Sequence, residues 1–63
     1  MTTVRNIRTE LGLSQAEFAA LLNVTQQAVS QWESNVKQPR LKKLIKIAEL
    51  GHCSVTDLLK DEE

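Results

Sequence analysis

The sequence predicts an all-α fold, a compact set of five short helices, and three observations lead there. Strand signals are missing: the chain has no Tyr, one Phe and no sustained alternation of apolar and polar residues. Apolar residues recur instead three and four apart, the period of one helix face. Cap and stop residues divide those stretches at short intervals.

The first helix is expected from about Val4 to Leu11, capped by Thr2 or Thr3, with Val4, Ile7 and Leu11 on one stripe. Gly12 ends it at the left-handed position that follows many helices. The second is the best marked, because Ser14-Gln15-Ala16-Glu17 is a capping box and Phe18, Ala19 and Leu22 supply an apolar face. Asn23 stops it, since Asn tolerates a positive φ better than most residues. Thr25 caps a third helix from Gln26 to about Glu33, and Ser34-Asn35 is the next stop. A loop from Val36 to Gln38 leads to Pro39, suited to open a fourth helix. The stripe expected there is Leu41, Leu44, Ile45 and Ala48, closed by Gly51-His52. Ser54-Val55-Thr56-Asp57 then opens a short last helix with Leu58 and Leu59 inward.

At 63 residues the chain is expected to hold a single domain, residues 1–63, with 60–63 as a short acidic tail. A chain of this size buries only ~60% of the surface it exposes when unfolded, so the core is thin. Hydrophobic residues at 41% and charged residues at 25% argue against disorder. A lone cysteine rules out an intramolecular disulfide and fits a reducing, cytoplasmic setting. The run Ala19 to Leu22 is too short for a signal peptide or a membrane span, so no membrane partner is expected. His52 and Cys53 are adjacent and have no second His or Cys to join them. No catalytic residue, metal site, cofactor or small-molecule ligand is therefore expected, and the chain does not read as an enzyme. Cys53 reads as a small buried hydrophobe and Trp32 as core.

The net charge is zero, but the charges lie in two opposed blocks. Lys37, Arg40, Lys42, Lys43 and Lys46 occur with no acid among them. Glu49, Asp57, Asp61, Glu62 and Glu63 follow against Lys60 alone. A neutral sum of this kind still presents a basic face to one partner.

Only Asn23 and Val24 separate the second helix from the Thr25 cap of the third. A connection that tight forces the sharp crossing of a helix-turn-helix, whose second helix enters the major groove of DNA. At ~100° per residue, Gln26, Gln27, Ser30 and Gln31 share an arc of roughly 140°, while Ala28, Val29 and Trp32 lie about 200° to 300° around the wheel. One face is core; the other is uncharged hydrogen-bonding side chain. A solvated face normally carries Lys and Glu. Carboxamides instead match adenine N6 and N7 together, and each good bidentate pair is worth ~1–3 kcal/mol of base discrimination.

The residues Leu13 to Ala19, Val24 to Glu33, Pro39 and Leu44 to Ala48 together resemble the Cro and phage-repressor type of helix-turn-helix proteins (XRE-like), over roughly residues 5–59. The resemblance implies a lambda-repressor-like domain of five helices, a homodimer, and double-stranded operator DNA with two-fold symmetry as partner. By position it assigns base contacts to Gln26, Gln27 and Gln31, with Ser30 touching a base or a phosphate. It has Gln15, at the start of the second helix, bond a phosphate and steady the first reading glutamine, makes Lys37 a phosphate neighbour, and brings Arg40 to the DNA backbone or the minor groove. Arg8 and Glu33 match a salt bridge between the first and third helices. Asn23, Asn35 and His52 stand where the family most often has glycine. Of the remaining lysines, Lys43 joins the phosphate set, and Lys42 and Lys46 read as the solvated face of the fourth helix. The expected role is a phage or prophage repressor that acts by occupying its operator. An antitoxin or restriction-modification controller of the same fold is the nearest alternative. A protein-interaction module without DNA binding is a third, against which the glutamine face speaks.

Overall fold

The computed structural model describes residues 3–59. Thr2 and the tail at 60–63 lie outside the described residues, as does the side chain of Leu59. Five helices and no strand occur among the described residues: α1 (Val4–Glu10), α2 (Gln15–Leu22), α3 (Gln26–Glu33), α4 (Leu41–Leu50) and α5 (Val55–Leu59). The all-α expectation holds.

Most of the boundaries follow from side-chain caps. Thr3 Oγ1 accepts from the Asn6 amide at 3.0 Å and starts α1. Ser14 and Glu17 form the reciprocal capping box of α2, at 3.1 and 2.8 Å. Thr25 Oγ1 accepts from the Ala28 amide at 3.1 Å and starts α3. Ser54 and Asp57 bond to each other's backbone amides at the start of α5. The stops behave as expected too. Gly12, Asn23, Asn35 and His52 all take positive φ, at 75°, 60°, 62° and 55°. A residue with a Cβ is strained there, and His52 has the least reason to tolerate it.

Phe18, Leu22, Val29 and Ile47 are fully enclosed, and Ile7, Ala19, Leu44, Ala48 and Leu58 complete the core. Trp32 is half-buried and packs against it. Gly51 serves the packing through its missing side chain, since a Cβ there would meet Ile7 Cδ1 at 2.6 Å. The end of α4 and the face of α1 therefore touch closely.

Four expectations are corrected. Helix α1 ends at Glu10, and Leu11 caps it with its side chain 42% exposed, because the positive φ of Gly12 turns the chain out of the helix there. Pro39 does not open α4: Arg40 is the cap, without a side-chain bond, and Leu41 is the first residue. Pro39 is instead buried just ahead of the helix. The inward stripe of α4 is Leu44, Ile47 and Ala48, while Leu41 and Ile45 face outward. The helix is rotated toward Ile47 relative to the expected stripe, and the chain has no further element to cover Leu41 and Ile45 among the described residues. Cys53 is only half-buried, at the turn into α5.

Candidate nucleic-acid interface

The turn between α2 and α3 is built by Asn23 and Val24. Asn23 in the left-handed conformation reverses the chain, and the Val24 amide donates to the Ala19 carbonyl at 2.9 Å. Thr25 then starts α3 at once, so the two helices cross without slack. Along α3 the buried residue is Val29, with Ala28 and Trp32 half-buried on the same side. Gln26 and Gln27 are exposed, and Ser30 and Gln31 are half-buried. The predicted polar arc is thus left open at its N-terminal end and partly sheltered further along.

The far end of α3 is locked. Arg8 donates from Nε to Glu33 Oε2 at 2.6 Å and from Nη2 to Oε1 at 3.1 Å. This is a bidentate pair whose side chains keep only 13% and 6% exposure. Arg8 also donates from Nη1 to the Leu13 carbonyl at 2.8 Å, which ties in the loop before α2. Burial pushes the Glu33 carboxyl up, but the bonds from Arg8 and Gln15 and the nearby charges of Arg8 and Arg5 outweigh it and hold it below the usual carboxylate range. The bond from Glu33 likewise raises the Arg8 pKa, against a smaller effect of burial.

Gln15 enters this lock in a way the sequence did not disclose. Its Nε2 donates to Glu33 Oε1 at 3.1 Å, linking the first residue of α2 to the last of α3. No local pattern reports a contact between residues so far apart in the chain. An amide nitrogen carries two donors, so this bond uses only one of them.

Four of the expected DNA-contacting residues meet in a cleft of about 350 Å³. Gln31, Lys37, Arg40 and Lys43 line it, together with Gln38 and the apolar Val24, Ala28 and Trp32. Sequence reasoning passed over Gln38, a polar loop residue that carries no signal by itself. Lys43 has a second contact, its Nζ donating to the Leu22 carbonyl at 2.7 Å. There the ammonium satisfies an end carbonyl of α2 and complements its dipole. Two of its three donors remain for other partners. Lys42 and Lys46 stand exposed outside this cleft.

The Cys53 thiol is pushed up by burial and by the charge of Asp57, which disfavours the reactive thiolate. Among the described residues no helix is long and apolar enough to cross a membrane.

A family model described as helix-turn-helix matches residues 4–58, from the start of α1 to Leu58 in α5. Comparison with curated proteins and with solved structures finds no match.

Proposed function

The chain belongs to the helix-turn-helix family of Cro and repressor type and is a DNA-binding regulator, and we propose that it represses by occupying a two-fold-symmetric operator as a dimer. In this reading α3 lies in the major groove. Gln26, Gln27 and Gln31 contact base edges, and Ser30 contacts a base or a phosphate. Lys37, Arg40 and Lys43 hold the DNA backbone beside the cleft they line, and Gln15 donates its second amide hydrogen to a phosphate near the N-terminus of α2.

The observation that carries the reading is the pairing of an uncharged carboxamide face with a cationic cleft, joined at Gln31. The glutamines have no ionic task, and donor-acceptor groups of this kind discriminate bases. The cations supply affinity that depends on salt and not on sequence.

Selection of bound sites from random DNA tests this. Symmetric sites with adenine at the positions lost in Gln27→Ala are expected. On the selected site Gln27→Ala should weaken binding by ~5–100-fold, a single bidentate pair, while random DNA is bound as before. Equal loss on both DNAs would remove the base-reading role.

A further inference from the structure

We infer that the outer face of α4 binds a second copy of this chain, the two α4 helices lying antiparallel about a two-fold axis beside Ile45. This rests on the dimeric reading above and deepens it by naming the surface. Leu41 is 66% exposed and Ile45 43% exposed. One turn apart, they are neighbours on the helix surface. They continue the apolar arc of Leu44, Ile47 and Ala48, so the monomer covers only part of what α4 offers. The other large exposed apolar side chains, Leu11, Leu21 and Val36, stand on separate elements. Scattered residues of that kind are ordinary on a soluble surface. The α4–α5 turn and α5 present no large exposed apolar side chain among those described.

Charge selects the occupant and its direction. At ~100° per residue, Lys42 and Glu49 lie ~20° apart, two turns from one another and on the same flank of the Leu41–Ile45 pair. Neither has an ion-pair partner among the described residues. A two-fold axis normal to a pair of antiparallel helices keeps that flank on one side of both. With the axis beside Ile45, Lys42 of each copy comes opposite Glu49 of the other, and two reciprocal ion pairs bracket an Ile45–Ile45 contact. A parallel pair would turn the flanks to opposite sides and leave all four charges unmatched.

This surface is small. It falls well below the ~1,200–2,000 Å² buried in stable complexes, so association of the free chain is weak. On DNA the second copy is held nearby at high effective concentration, and the contact shows as cooperativity between half-sites.

The full chain is titrated onto a duplex with two selected half-sites and onto one with a single half-site, and cooperativity is taken as the ratio. Ile45→Asp is expected to abolish it, with single-site affinity and thermal melting unchanged. Lys42→Glu and Glu49→Lys should each lower it by about tenfold, and the two together should restore it. Full cooperativity in Ile45→Asp overturns the surface and leaves the dimeric reading standing. Loss without rescue in the double variant overturns the antiparallel pairing. A wild-type chain that binds the two half-sites independently overturns both.

Discussion

Helices α3 and α4 make opposite use of their outer faces. On α3 the apolar arc coincides with the side packed inward, and apart from Glu33, which is paired with Arg8, everything left over is carboxamide or hydroxyl. On α4 the apolar arc is wider than the core it meets, and Leu41 and Ile45 are left over. Orientation is secured differently as well. Helix α3 is fastened at its start by Thr25 and at its end by the Arg8–Glu33–Gln15 bonds. Helix α4 starts at Arg40 without a side-chain cap and is held by packing. A helix that presents hydrogen-bonding groups to a rigid target needs a fixed rotation, because a small turn misplaces every donor. A helix oriented by its core alone places its surplus wherever the tightest packing leaves it.

The largest effect separates the two stripes that α4 could have used. Ile47→Ala empties a fully enclosed site and should cost ~2–5 kcal/mol. Leu41→Ala should change stability by no more than ~0.5 kcal/mol, as a surface substitution does. Urea midpoints of the two variants give the order. Equal losses would mean that Leu41 belongs to the core and that α4 has no surplus face.

The next effect tests the fastening of α3. Glu33→Ala leaves the Arg8 guanidinium half-buried without its partner and should cost ~1–3 kcal/mol, between the values for exposed and buried pairs. Because the native carboxyl is held below the ~4.3 of an unperturbed Glu, its contribution is complete above that pH. It is lost as the pH falls through the lowered native value. The wild type should therefore lose stability below about pH 4 more steeply than Glu33→Ala. Parallel pH profiles would show that the pair contributes nothing to folding.

The same contrast explains how much was legible beforehand. The caps at Thr3, Ser14, Thr25 and Ser54 and the stops at Gly12 and Asn23 are local chemistry, readable within four residues, and all occur as expected. The polar arc of α3 was legible because its inward and outward residues differ in kind. The stripe of α4 was not, since Leu41, Leu44, Ile45 and Ile47 are equally apolar and only the placement of the elements packed on α4, α5 and α1 among them, decides which are covered. Arg8–Glu33 was reached through a family likeness. Gln15–Glu33 and Lys43–Leu22 join residues far apart in sequence, and helical period says nothing about them.

A smaller effect concerns the stop that follows α4. His52 holds φ of 55° with a Cβ, where Asn23 and Asn35 at least belong to a residue type that adopts that region. His52→Gly should raise stability by ~0.5–1 kcal/mol, the strain relieved less the extra freedom of the unfolded glycine. Thermal melting reads the change. A loss would mean that the imidazole makes a contact worth more than the strain.

An effect on folding of similar size bears on both helices, because Lys43 reaches from α4 to the end of α2. Lys43→Met keeps the aliphatic stem and removes the bond to the Leu22 carbonyl, at a cost of ~0.5–1 kcal/mol for one capping bond beside a helix dipole. Its effect on DNA binding divides two roles. A cation that serves only as a cap leaves the salt dependence of binding unchanged. One that also neutralises a phosphate lowers the slope by about 1, as Arg40→Ala should. Measuring both variants across the same salt range compares a cation bonded to α2 with one exposed at the N-terminus of α4. Equal slopes for Lys43→Met and Arg40→Ala would show that the bond to α2 positions the ammonium for DNA and does not withdraw it.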